Sequence, residues 1–389
     1  MMIVLNRSYR MLIFATAVMC IVILVVDIKY LKKSFESEFF AFLQSNQLKY
    51  LDNESKPEIS INVHSDVMIP GKYTWIPYQV KRNPLGPFIL QINSGEAIKY
   101  TNYTFFPLTF NSSFLINNPN ICKDADNLTF LIMVHTAVPH FDRRRSLRDT
   151  WANSRLLKNH QSRIFFLVGR TKGNTFQKTL EMESERFKDI VQGDFIDDYH
   201  NLTHKGILGY RWIVKYCENA KFILKIDDDV FVNIFLVIHE LLPIYQQGRK
   251  IIACRLLINQ TIAREGKFAV DPDYFPGYQH SPVQYCAGPF VLMVRSIVPE
   301  MYEAAKYSPF YWIDDLYLFG VLPNQVHDVS FHVVGNIDNE EDSALKCFQG
   351  DKPCTYLVAY AQTQGLMYTY WNATLVMHKD LVQKYANNV

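Results

Sequence analysis

Three consecutive carboxylates stand out in Lys225-Ile226-Asp227-Asp228-Asp229-Val230-Phe231, between two apolar stretches with no Gly, Asn or Pro in the run. In extended chain, side chains alternate with period 2, so Asp227 and Asp229 point to one side and Asp228 to the other. Two same-side carboxylates at a strand end are placed to hold a divalent cation; oxygen-only ligands suit Mg2+ or Mn2+, and both bridge to phosphates. A solvated acidic turn is the bland alternative. A second acidic pair, Asp314-Asp315, lies within Phe310-Tyr311-Trp312-Ile313 and Leu316-Tyr317-Leu318-Phe319. Such apolar surroundings raise a carboxyl pKa by desolvation, as a general base requires. The pair also suits a helix N-terminus, where Asp is electrostatically favoured. Arg145 and Arg148, in a basic cluster that starts at Arg143, are spaced i, i+3; they could share a helical face and grip a diphosphate, or simply meet solvent. His378, in an apolar segment, reads by itself as a satisfied core histidine.

Elements must carry these groups. Leu128–Val134, Ile164–Val168, Phe222–Ile226 and Phe290–Val294 are short continuous apolar runs of the kind found in buried strands. Between them Ile207, Tyr210, Val214 and Cys217 recur at helical spacing. Strands alternating with helices predict an α/β domain with a mostly parallel sheet over residues 121–389. In such sheets ligands bind at the carboxyl ends of the strands, which is where the aspartate run falls. Residues 29–120 are rich in Pro and aromatic residues without sustained periodicity, which reads as a stem and lead-in segment.

Met11–Val26 is an unbroken run of uncharged, mostly apolar residues, preceded by Arg7 and Arg10 and followed by Lys29, Lys32 and Lys33. As a helix it spans about 24 Å, a short signal-anchor. The predicted organisation is a cytoplasmic tail over 1–10, a transmembrane helix over 11–28, then stem and catalytic body. Sequons at Asn53, Asn102, Asn111, Asn127, Asn201, Asn259 and Asn372 favour a luminal body. So does an even set of cysteines beyond the anchor: Cys122, Cys217, Cys254, Cys286, Cys347 and Cys354. Of these, Cys347 and Cys354 are the expected local pair. The chain has 389 residues and a formal net charge of +2, with 49% hydrophobic and 20% charged residues. That balance excludes a disordered chain and gives no electrostatic case for binding nucleic acid.

Together these segments resemble the β-1,3-galactosyltransferase family, glycosyltransferase family 31, over roughly residues 128–381. Arg145-Ser146-Leu147-Arg148-Asp149-Thr150-Trp151 is similar to R-x-x-I-R-x-T-W, and Asp194 to Lys205 to D-F-x-D-x-Y-x-N-L-T-x-K. Lys225 to Asn233 follows K-x-D-D-D-x-F-V-N, Tyr285-Cys286-Ala287-Gly288 resembles Y-C-S-G, and Asp314-Asp315-Leu316-Tyr317 resembles E/D-D-V-Y/F. Pro289, Phe290 and Asp314 depart from the commoner family residues. The resemblance implies a GT-A fold in a Golgi type II membrane enzyme, with a UDP-sugar as donor and Mn2+ as metal, Mg2+ serving as a substitute. The acceptor is a glycan on glycoprotein or glycolipid. By the same resemblance Asp229 and His378 are the metal ligands, and Asp227 and Asp228 orient the ribose and donor sugar. Arg148 and Lys205 hold the nucleotide, with Arg145 added by its spacing to Arg148, and Asp315 is the base of an inverting transfer of galactose. N-acetylglucosamine or N-acetylgalactosamine as the donor sugar, and a non-catalytic glycan-binding protein, are the alternatives.

Overall fold

The computed structural model describes residues 113–381, apart from 124, 126–127, 154–160, 174, 246–247, 271, 273, 276, 336, 339–340, 351 and 353, together with strands at 75–77, 88–91 and 97–100. The chain divides into Met1–Val67 and Met68–Val389, and every described residue lies in the second unit. The expected tail, anchor and most of the stem fall outside the described residues. Among the described residues no helix is long and apolar enough to cross a membrane.

Strands β1 (Trp75–Pro77), β2 (Phe88–Gln91), β3 (Ala97–Tyr100) and β4 (Phe114–Ile116) precede the first buried strand, β5 (Phe130–His135). Helix α1 (Phe141–Asp149), β6 (Ser162–Arg170), α2 (Gln177–Phe187), β7 (Ile190–Ile196), α3 (Leu202–Tyr216) and β8 (Phe222–Asp227) then alternate as expected. A short β9 (Val230–Val232) leads to β10 (Lys250–Leu257), β11 (Tyr285–Val294), α4 (Ile297–Ala305) and β12 (Val329–Val333). β13 (Ile337–Asp338), α5 (Glu341–Gln349), β14 (Val358–Tyr360) and α6 (Gln364–Met377) complete the described chain.

Nine strands form one sheet in the order β1-β12-β10-β11-β8-β5-β6-β7-β4. The four apolar runs expected as strands are β5, β6, β8 and part of β11. The expectation of a mostly parallel sheet needs correction. β8, β5, β6 and β7 run parallel, as do β10 and β12, but β11 lies antiparallel to both β8 and β10, and β1 and β4 pair antiparallel at the edges. Apolarity reports burial of a strand, and strand direction leaves no mark in it. The sheet also starts before residue 121, because β1 and β4 come from the segment read as an irregular lead-in.

Alternation along β5 sends Leu131 and Met133 into one core layer and Phe130, Ile132 and Val134 into the other. Helix α3 closes the first layer, with Ile207, Tyr210 and Ile213 fully buried. Helix α6 adds Tyr370 and Trp371 to the second. Three disulfides, Cys122–Cys217, Cys254–Cys286 and the expected Cys347–Cys354, staple the body.

Candidate active site

Two neighbouring parallel strands end on chemistry. β5 finishes at His135 and β8 at Asp227, and the two residues are partners in register. A cleft of about 800 Å3 opens there, lined by Asp227, Asp228, Asp229, Asp314, Asp315 and Lys205 among others. That volume is in the range of small-molecule sites, and it sits at the carboxyl edge of the parallel strands.

The strand ends at Asp227, and Asp228 and Asp229 form the turn into β9, so it is this turn and not strand alternation that divides the three carboxylates. Asp227 accepts a bond of 2.8 Å from Lys225 Nζ, which also donates to the Gly288 carbonyl at 2.8 Å. Asp228 turns inward, accepting from Thr136 Oγ1 at 2.6 Å and Arg143 Nη1 at 2.8 Å, with His140 Nδ1 at 2.7 Å. Burial opposes its ionisation, yet His140, Arg143 and Thr136 together hold its carboxyl well below the usual range. With its oxygens engaged inside the protein, Asp228 braces the β5–α1 segment instead of reaching for a ligand. Asp229 meets Arg143 at 3.1 Å. Burial and the charges of Asp227 and Asp228 push its carboxyl up. The side chains of Asp227 and Asp229 are 37% and 27% exposed, against 6% for Asp228, so those two are the members of the run open to the cleft.

Asp314 and Asp315 begin a short helical stretch. The helix-start and buried-carboxyl readings therefore hold together. The Gly288 amide donates to Asp315 Oδ2 at 2.8 Å. Gly288 is required there, since a Cβ on it would collide with the Asp315 carboxylate. Burial, then the charge of Asp314, push Asp315 up to about 8, while Lys225 and the amide bond pull the other way. Burial also raises Asp314.

The cationic assignments fare differently. Lys205 lines the cleft, but its ammonium is spent on the Thr136 carbonyl at 2.6 Å and Asp197 at 2.7 Å. Arg148 is only 10% exposed and makes two bonds to Asp189, at 2.7 and 2.8 Å, and one to Glu183 at 2.7 Å. It also lies over the rings of Phe166 and Phe187. Arg148 therefore locks α1 to α2 and is not brought to the cleft. Arg145 is half-exposed and paired with Asp149 on its own helix. The arginine of this cluster that meets the aspartates is Arg143. A three-residue spacing selected the wrong face of α1, and only the tertiary position of Asp228 identifies the right one. His378 caps the C-terminus of α6. It packs against Phe235 at 5.0 Å and is held low by burial and by nearby His239. It is not among the cleft-lining residues; its buried Nε2 has no hydrogen-bond partner among the described residues, so it is neither a satisfied core histidine nor brought to the cleft as a ligand with Asp229.

Several cleft residues, His140, His135, Tyr360 and Tyr199 among them, carry no signal in the sequence. His135 is buried with neither ring nitrogen hydrogen-bonded and lies 3.8 Å from Asp314. Burial, Lys225 and Lys205 keep it neutral. Tyr360 at the end of β14 and Tyr199 before α3 complete the wall. An isolated His after an apolar run carries no spacing signal.

Among the described residues no group of three or more His, Cys, Asp or Glu stands ready to hold a metal. Asp227 and Asp229 are each already ion-paired, with Lys225 and Arg143, but as the more exposed carboxylates of the run they fit as oxygen ligands for a hard cation whose remaining ligands would come from a phosphate.

The fold and site together define an α/β protein with an acidic cleft at the carboxyl ends of its parallel strands and a buried carboxyl group, Asp315, in its wall. Residues 142–333 match the family model described as Galactosyltransferase. Mouse beta-1,3-galactosyltransferase 1 is 32% identical over 208 residues, covering 53% of this chain and 63% of the relative. Mouse lactosylceramide 1,3-N-acetyl-beta-D-glucosaminyltransferase is 31% identical over 226 residues, covering 55% and 58%. The match thus spans less than two thirds of each relative's length. A solved galactosyltransferase, LgtC, in complex with donor and acceptor sugar analogues, is 10% identical, with a TM-score of 0.32 over 62% of this chain and 95% of that one.

Proposed function

We propose that this chain is an inverting hexosyltransferase of GT-A fold that moves a hexose, galactose first, from a UDP-sugar to a hydroxyl of an acceptor glycan, forming a β-1,3 linkage. The observation that carries the reading is Asp315, a buried carboxyl held by the Gly288 amide and pushed up to about 8, in the same cleft as Asp227 and Asp229. A general base works best with a pKa near the operating pH. Its raised value lets Asp315 accept the proton of the acceptor hydroxyl as that oxygen attacks the anomeric carbon. The new carbon–oxygen bond forms as the bond to UDP breaks, and one in-line displacement turns an α-linked donor into a β-linked product. Asp227 and Asp229 would hold Mn2+, or Mg2+, against the diphosphate. Such a cation supplies charge stabilisation to the departing UDP. Arg143, between Asp228 and Asp229, fixes the orientation of the run.

The N-acetylglucosaminyltransferase relative keeps UDP-N-acetylglucosamine beside UDP-galactose as a donor, with UDP-N-acetylgalactosamine as a third. Met11–Val26 would anchor the enzyme in the Golgi membrane with its body in the lumen; three disulfides suit an oxidising compartment. The test is a screen of the three UDP-sugars with Mn2+, reading UDP release, with EDTA as control. Release from one donor that EDTA abolishes is the expected result. No release from any donor would favour a glycan-binding protein, and release insensitive to EDTA would overturn the metal assignment.

A further inference from the structure

The cations around the aspartate run are committed to the protein's own oxygens. Lys205 is bonded to the Thr136 carbonyl and Asp197, Lys225 to Asp227 and the Gly288 carbonyl, and Arg143 to Asp228 and Asp229. Arg255, which also lines the cleft, is likewise engaged. A departing diphosphate nevertheless needs donors aimed at the oxygen on which charge develops. Tyr360 differs from these cations: it lines the cleft, and its hydroxyl has no hydrogen-bond partner among the described residues.

The backbone fixes where this phenol stands. β14 pairs antiparallel with β9, which puts Tyr360 opposite Val230, the residue after the aspartate run. The next amide, that of Ala361, donates to the Asp229 carbonyl at 2.7 Å. Val358 and Ala359 are buried in the core, and Tyr360, half-buried, comes out at the cleft. The carboxylates whose charge reaches the phenol are Asp227, Asp229 and Asp315, in that order. A phenol keeps its proton at neutral pH, and burial with those charges pushes its ionisation further up. It therefore meets a ligand as a neutral O–H donor. Tyr199 feels Asp314 and Asp315 ahead of Asp227, so of these two phenols Tyr360 is the one on the side of Asp227 and Asp229.

We propose that Tyr360 is a catalytic residue whose hydroxyl donates to a β-phosphate oxygen of the departing UDP. This rests on the reading of the cleft as a hexosyl-transfer site with a cation at Asp227 and Asp229. As the bond from the anomeric carbon to the diphosphate breaks, its electron pair stays on the diphosphate oxygen. The Tyr360 hydroxyl meets that growing charge with a hydrogen bond and keeps its own proton, while the acceptor's proton goes to Asp315. A phosphate oxygen suits the place on two counts. A cation held by Asp227 and Asp229 would draw it there, and a phenol, unlike a lysine, adds no positive charge to repel that cation.

Calorimetric titration of the full chain with UDP and with UMP, each with Mn2+, tests this. UMP lacks the β-phosphate, and Tyr360→Phe removes the hydroxyl and little else. The variant is expected to bind UDP about 10-fold more weakly and UMP as the wild type does. In transfer assays its kcat is expected to fall with KM for the acceptor little changed, because the bond strengthens as charge develops. Mn2+ affinity without nucleotide, read by electron paramagnetic resonance, is expected to be the same in both forms. Equal losses for UDP and UMP, or unchanged UDP affinity, would overturn the assignment. So would a matching loss of Mn2+ affinity, by placing the phenol on the cation instead. A wild-type chain that binds neither nucleotide would overturn the transferase reading together with this inference, whereas the outcomes above overturn Tyr360 alone.

Discussion

Asp315 carries opposing influences on one carboxyl group: an amide donor and Lys225 favour its charge, while burial and Asp314 resist it, and the resistance wins. Activity and stability therefore respond to pH in opposite senses. The base must be ionised to work, so kcat/KM for transfer is expected to rise with pH and level off above about 8. A flat profile from pH 6 to 9 would remove Asp315 from that role. In the unfolded chain an aspartate titrates near ~3.9, so between that value and about 8 the folded state binds the extra proton. Stability contributed by protonated Asp315 is present on the acid side and lost as pH rises through this window. Thermal unfolding of wild type and Asp315→Asn, followed from pH 5 to 9 in EDTA, checks this. The wild-type midpoint is expected to fall relative to the variant as pH increases. Asp228 acts in the opposite direction: its depressed value gives stability above the ordinary carboxylate range that is lost on acidification.

Helix α1 is the element on which sequence and structure part company. Its arginines sit on different faces. Arg144 and Arg148 enter the protein to meet Glu183, while Arg143 reaches Asp228 and Asp229. Breaking a buried ion pair leaves its partner charge unpaired, at about 3–5 kcal/mol. Arg148→Ala is accordingly expected to lower unfolding free energy by that order in urea titrations. Arg143→Ala, at a side chain 31% exposed, is expected to cost markedly less stability and to impair donor affinity. Loss of UDP binding with intact stability in Arg148→Ala would restore the nucleotide-binding role. The strands tell the complementary story. Apolar runs announced β5, β6 and β8, because burial on both faces leaves a hydrophobic block. Ile190-Val191-Gln192-Gly193-Asp194-Phe195-Ile196 became β7 without such a block, its Gln192 satisfied by bonds to Gly169 and Gln177. The aspartate run was legible as a cleft element because three carboxylates follow a buried apolar strand, although its geometry comes from a turn at Asp228-Asp229 and not from strand alternation. Arg143, His135 and Tyr360 were not, because contacts across the fold decide their roles.

Across the whole molecule, the disulfides close chain loops of very different length. Cys122–Cys217 joins residues 95 apart and Cys347–Cys354 residues 7 apart. Loop-closure entropy assigns them about 4.7 and about 2.4 kcal/mol respectively. Replacing Cys122 and Cys217 by Ser is expected to lower Tm more than replacing Cys347 and Cys354, as calorimetry would show; the reverse order would mean that native-state strain outweighs chain entropy. The even count and the short local pair were readable from the sequence, whereas the two long-range pairings depend on how the layers stack. The proposed transfer rests on one carboxyl group, where β11 meets the start of the Asp314–Leu316 helical stretch. Its most direct test is Asp315→Asn assayed for sugar transfer and, separately, for UDP affinity by calorimetry. Transfer is expected to fall by about 100- to 10,000-fold with UDP affinity retained within a few-fold. Near-normal turnover in that variant would contradict the account.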